Sequence, residues 1–304
     1  MTGPPVATAA VRVAVRRSLA GVSGPVTAAV SGGADSLALA AALAFERPGS
    51  AAVVVDHQLQ EGSAEVAAKA AAQCEGLGLT SRVLTAERLD ALPPCPDRVE
   101  LRATGPEARA RELRYALLDT IDGTVLLGHT RDDQAESVLL GLVRGSGARA
   151  ASGMAAVRGR YRRPFLELPR ETTRLACQEA GLIPWEDPHN DDPSYERVKV
   201  RQLLGGLDLT EGLARSARLL REDADALDSF AMPECDVARL SEMLPAIRAR
   251  SLKLWAEQQT GRAITSAHVD ALRALVDDWH GQGPVALPGG MQVVRHDGRL
   301  VATR

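Results

Sequence analysis

Ser31-Gly-Gly-Ala-Asp-Ser36 is the segment whose residue types speak most directly of chemistry. It follows the apolar run Val26–Val30 and opens a helical stretch, so it joins a strand to a helix start. Gly32 and Gly33 remove side chains where a backbone must approach a ligand, and the helix start offers N–H groups and a positive dipole to an anion. Ser31 and Ser36 add hydroxyl donors. Asp35 beside an anion calls for a mediating cation, which points to Mg²⁺. A tight turn with Asp35 or Ser36 capping the helix fits the same residues.

Other candidates stand at comparable places. Asp56 and His57 end a second apolar run. His129, Asp132 and Asp133 follow a third; the two Asp suit Mg²⁺ or an ammonium, or merely the helix dipole, whereas that dipole does not explain His129. His129 suits proton steering or phosphate contact. Gln134 and Glu136 read more weakly, Glu136 as part of a solvated first turn. Glu107 and Arg111 share one helical face, which Arg114 and Tyr115 extend. Arg201 suits a carboxylate, a phosphate or plain solvent.

The elements that must position these groups alternate. Val26–Val30, Ala51–Val55, Ser81–Thr85 and Thr124–Leu127 are short apolar strands. Between them lie helices from Ser36 to about Phe45, from Ser63 to Glu75, and with Pro106 in a first turn; another runs from Asp132 to about Val143. Such alternation predicts an α/β fold with a parallel sheet covered on both faces, and ligands beyond the carboxyl ends of its strands. Met1–Ala20 reads as an amphipathic helix. Beyond Leu204-Leu-Gly-Gly-Leu207 the text turns helical and ends in a small antiparallel sheet with Asp297-Gly298 as a turn. Two domains are therefore expected, 1–205 and 206–304.

A formal charge of −3 excludes a uniformly basic nucleic-acid coat. Residues 141–174 nevertheless hold eight Arg against two Glu, a local balance of +6. Arg144, Arg149, Arg158, Arg160, Arg162 and Arg163 are thus the candidates for RNA phosphates, with Tyr161 as a stacking face and Phe165 better suited to the core. No apolar run suits a membrane span. Four scattered Cys without a C-x-x-C pair argue for a reducing cytoplasm, against a zinc site, and for small core residues.

S-G-G-x-D-S is neither the Walker pattern nor G-x-G-x-x-G. It resembles the signature loop of the PP-loop ATP pyrophosphatases. Val55-Asp-His57, Glu107-Ala-Arg-Ala-Arg111-Glu-Leu-Arg114-Tyr115 and Gly128-His129-Thr-Arg-Asp132-Asp133-Gln134-Ala-Glu136 resemble segments of the tRNA(Ile)-lysidine synthases. Arg144-Gly-Ser-Gly147 with Gly153-Met154, Arg163-Pro164, and Asp192-Pro-Ser194 with Arg197 and Arg201 follow in that family's order. The resemblance covers roughly residues 20–205. Thr130, Gln58, Gln60 and Val198 depart from it, where the family has His, Gly, Arg and Asn.

The resemblance implies a Rossmann-like ATPase domain with a smaller, mainly helical domain behind it, in the family's short form. It implies ATP and Mg²⁺ at Ser31, Gly32, Gly33, Ala34, Asp35, Ser36, Asp56 and His57, with Asp35 on the metal. Asp35, Arg111, His129, Asp133 and Arg201 are the implied catalytic group; Asp132, Asp133 and Arg201 are candidates for free L-lysine. The implied reaction adenylates carbon 2 of the wobble cytidine in a CAU-anticodon tRNA(Ile), and lysine then displaces AMP. A tRNA thiolase or another ATP-pyrophosphatase ligase is the alternative, though a thiolase needs reactive thiols.

Overall fold

The computed structural model describes residues 3–56, 62–85, 106–145, 147–186, 196–207 and 209–304, with backbone alone at 106–110, 196–197 and 207. His57, Gln58, Gln60, Cys95, Asp192 and Ser194 lie outside the described residues.

The first half alternates as the periodicity predicts. Its strands are β1 (Val26–Val30), β2 (Ala51–Asp56), β3 (Thr80–Thr85) and β4 (Thr124–Leu127). Its helices are α1 (Val6–Ser18), α2 (Ala34–Glu46), α3 (Ser63–Gly76), α4 (Pro106–Leu118) and α5 (Arg131–Val143). The short helix α6 (Ala148–Ala151) follows, then β5 (Val157–Arg158), β6 (Tyr161–Arg162) and α7 (Arg170–Glu179). Sheet order is β3-β2-β1-β4-β6-β5; every pairing is parallel except β5 with β6. The β5–β6 hairpin, two residues a strand, is too short for any sequence period to reveal.

Alternation along the strands divides the core. Val26, Ala28, Val30, Ala52, Val54 and Leu126 point to one face, where α1, α2, α3 and α7 pack. Val53, Val125 and Leu127 point to the other, with Leu118, Ile121 and Tyr115 from the α4 side. The sheet is therefore covered on both faces. Ala7, Val11 and Val15, at i, i+4 and i+8, form the buried stripe of α1. Cys74 and Cys177 are buried and free, as small core residues should be.

Later elements are α8 (Glu196–Leu207), α9 (Thr210–Ser229), α10 (Val237–Glu242), α11 (Pro245–Thr260), α12 (Ser266–Asp277), and the antiparallel strands β7 (Val285–Leu287), β8 (Met291–His296) and β9 (Arg299–Thr303). Asp297 and Gly298 turn β8 into β9 with φ 46° and 73°, the left-handed pair a type I′ turn requires. Compactness divides the chain between Arg221 and Glu222, inside α9, and Gly205-Gly206 lie within α8. The second unit has its own core of Leu240, Leu252, Trp255, Leu272, Leu275, Val293 and Leu300.

Candidate active site

The loop after β1 is built to leave donors open. Gly33 is the N-cap of α2 in extended conformation, and no side chain caps the helix. The first-turn N–H groups thus have no side-chain cap among the described residues, which leaves them for an anion. Ser36 does something else: its buried hydroxyl donates to the Gly33 carbonyl at 2.8 Å and accepts the Ser31 N–H at 3.1 Å. It staples the turn, while Ser31 remains exposed. Gly32, at φ 88°, offers its carbonyl to the Trp185 N–H at 2.9 Å.

Gly128, ending the β4 side, lies so close to this loop that a Cβ there would sit 3.1 Å from the Asp35 carbonyl. That contact sets the start of α5 beside the start of α2. Thr130 caps α5: the Asp133 carboxylate accepts the Thr130 N–H at 2.7 Å and its hydroxyl at 2.9 Å. The departure from His at this position thus supplies a capping box. Gln134 is buried, and its amide pairs both ways with the Met154 backbone, at 2.9 and 2.7 Å.

Glu136 corrects the sequence reading most. It is buried, and its Oε1 accepts from both terminal nitrogens of Arg170 at 3.2 Å and from Arg201 Nε at 2.9 Å. Arg170 Nη2 also lies 2.7 Å from Asp133 Oδ1, and its Nε 3.8 Å from Asp35 Oδ2. The Arg170 N–H donates to Asp132 at 2.8 Å, so Asp132 caps α7, whose N-cap Pro169 has no side chain able to do so. Thr173 donates its hydroxyl to Asp35. Asp35, Asp132, Asp133, Glu136 and Arg201 therefore meet around Arg170. Arg170 is the site residue that sequence reading left within the basic stretch, since a helix-first-turn Arg has no pattern of its own.

The charges follow from these contacts. Burial raises Asp35 to about 6, Asp133 adding to the shift while the Thr173 hydroxyl, Arg170 and Arg174 oppose it. Burial pushes Asp133 up as well, but Arg170, His129 and the Thr130 hydrogen bonds outweigh it and hold this carboxyl below its ordinary value. Burial keeps the His129 imidazole well below its usual range despite Asp133, so it is neutral, and its buried Nδ1 has no hydrogen-bond partner among the described residues. A neutral ring cannot attract phosphate by charge; it can accept or donate one hydrogen bond.

Asp56 ends β2 almost fully buried. Arg111 belongs to a second cluster: its guanidinium stands 5.2 Å from the Tyr115 ring, which meets Tyr161 edge-on at 5.2 Å. Arg163 donates to the Tyr115 hydroxyl at 3.4 Å and to the Ala155 carbonyl at 2.8 Å.

The basic stretch is not one surface. Arg163 is 5% exposed, which corrects its placement among open RNA contacts: a guanidinium bonded inside cannot also grip a phosphate. Arg160 and Arg162 are half-buried and donate to the Asp119 and Ser18 carbonyls at 3.3 and 2.5 Å. Tyr161 donates its hydroxyl to Asp119, and Phe165 is wholly buried. Arg144 and Arg158 are exposed, and Arg149 is half-buried.

For a nucleotide, the uncapped helix start fits. For a metal held by protein donors alone, no group of three or more His, Cys, Asp or Glu is placed to hold an ion among the described residues. Asp35 Oδ2, beyond hydrogen-bond distance of Arg170, is the oxygen that fits Mg²⁺ arriving with phosphates.

Known proteins agree with this architecture. A family described as a PP-loop domain matches residues 15–206, and one described as a TilS substrate binding domain matches residues 236–301. The chain is 46% identical over 301 residues to the tRNA(Ile)-lysidine synthase of Leifsonia xyli subsp. xyli, covering 89% of this chain and 87% of that protein. It is 46% identical over 334 residues to that of Thermobifida fusca, covering 100% and 99%. A U34-tRNA thiolase of Methanococcus maripaludis shares the fold, with TM-score 0.54, 19% identity, and coverage of 71% and 78%. With both halves matched in order and nearly half its residues identical to such relatives, the chain belongs to the tRNA(Ile)-lysidine synthase family.

Proposed function

We propose that the protein joins free L-lysine to carbon 2 of the wobble cytidine in a tRNA(Ile) with a CAU anticodon, using ATP and releasing AMP and pyrophosphate. One observation carries this reading. Arg170 stands between the open anion-binding start of α2, at Asp35, and the carboxylates Asp133 and Glu136, so anionic and cationic ligands have adjoining seats. In the first step the cytidine carbonyl oxygen attacks the α-phosphorus and pyrophosphate leaves. The ε-amine then attacks carbon 2, AMP leaves, and the amine sheds a proton.

The chain's residues divide that work. Ser31 and the backbone from Gly32 to Ser36 hold the phosphates, and Asp56 with His57 borders the nucleotide. Asp35 supplies one ligand to Mg²⁺, which when bound neutralises phosphate charge. Asp133 and Glu136 take an ammonium of lysine, while Asp132 supports them by fixing α7. Arg201, 38% exposed at its side chain, faces the lysine carboxylate while anchored on Glu136. His129 offers a neutral hydrogen bond at the reacting groups, and Arg111 faces the tRNA side of the same strand ends. Arg144, Arg149 and Arg158 contact tRNA phosphates. The thiolase alternative loses ground: burial pushes the Cys74 and Cys177 thiols up to about 11, far from a reactive thiolate. Reduced thiols also suit the cytoplasm, and no described helix is long and apolar enough to cross a membrane.

Mass analysis of the wobble nucleoside after incubation with tRNA, ATP and lysine tests the assignment. A gain corresponding to lysine minus water is expected, together with pyrophosphate release that depends on lysine over many turnovers. An unmodified nucleoside under those conditions would sink it.

A further inference from the structure

Arg170 remains unexplained by the reaction itself. Its side chain is 15% exposed and reaches two places that bind different things: Asp35 beside the phosphate loop, and Asp133 with Glu136. Its backbone is pinned by Asp132 at 2.8 Å, so the long side chain can swing without moving α7. Asp35 and Asp133 are 27% and 20% exposed at their side chains, which leaves the cluster open along one edge.

We propose that Arg170 couples the two ligand sites: in the free protein its guanidinium covers Asp133 and Glu136, and nucleotide phosphates at the start of α2 draw it away, opening both carboxylates to a lysine ammonium. The inference rests on the functional reading above. Its physics is an exchange of cations. A guanidinium matches phosphate bidentately and carries its charge to whichever anion is stronger. Withdrawing it alone would leave Asp133 without its guanidinium and buried Glu136 with Arg201 alone, which is costly. An arriving ammonium removes that cost, so each ligand favours the other. Because such coupling is reciprocal, lysine must strengthen nucleotide binding by the same factor.

Calorimetry on the full chain decides it, with L-lysine titrated in the presence and absence of the Mg²⁺ complex of α,β-methylene ATP, and the reverse titration alongside. In the wild type, affinity for lysine should rise about tenfold with the analogue, within the usual range of coupling between sites. Arg170→Met should bring that factor close to one, with lysine alone bound at least as tightly as by nucleotide-free wild type. Arg170→Lys, a point charge without the fork, should give an intermediate factor, and it decides the matter if thermal melts show the Met variant unfolded. Independent binding of both ligands by the wild type, or a wild-type factor in either variant, overturns the coupling alone. A wild type that binds the analogue and never lysine overturns the functional reading, and the coupling with it.

Discussion

Asp35 holds its proton to about pH 6 in the folded chain, against an ordinary value of 3.8, because burial and Asp133 disfavour its charge more than Thr173, Arg170 and Arg174 restore it. Folded Asp35 therefore binds its proton more tightly than the unfolded chain does. Its contribution to stability is whole below about pH 4 and is lost as pH rises through 6, an effect on the order of 3 kcal/mol. Melting curves of nucleotide-free wild type and Asp35→Asn should show it: the variant gains on the wild type between pH 4.5 and 7.5. Parallel melting temperatures across that range would contradict the assignment. The identity and place of Asp35 were legible from its loop. Its protonation was not, since that depends on Thr173 and Arg170 from α7, more than 130 residues away along the chain.

Among the elements, the start of α5 is held by reciprocal contacts with the loop that follows α6. Gly153, at φ 61°, places its α-carbon so close to Gln134 that a Cβ would stand 2.6 Å from Oε1. Gly153→Ala should cost about 2 kcal/mol, from left-handed backbone strain together with displacement of the Gln134–Met154 pair. Gly159→Ala, at φ 54° with nothing near its would-be Cβ, bears the backbone strain alone and should cost about 1 kcal/mol. Urea unfolding of the two variants checks the difference; equal midpoints would remove the close approach as a cause. The helices and strands themselves were readable, because β1, β2 and β4 are continuous apolar runs and α1 has a clear 3.6-residue stripe. The β5–β6 hairpin was not.

For the molecule as a whole, the basic stretch predicts how tRNA binding responds to salt. Arg144 and Arg158 are exposed, so replacing both by Ala should weaken tRNA binding and lower the slope of log affinity against log salt by about 2. Arg163→Ala should act on stability instead, leaving Tyr115 and the Ala155 carbonyl without their buried donor. Filter binding at several salt concentrations, beside thermal melts, separates the two outcomes. An unchanged slope for the double variant would move the tRNA surface elsewhere.

By itself the sequence determined the alternating α/β architecture, the anion loop and the family, since strand and helix periods and the S-G-G-x-D-S motif are local properties. It also located the acidic pair after β4. Only the tertiary structure decided which charges answer one another. It withdrew Arg163 from solvent and buried Glu136, while Arg170 left the basic stretch for the carboxylates of two other helices. A local balance of +6 measures charge along the chain, whereas a charge's role is fixed by the partners and the dielectric that folding gives it.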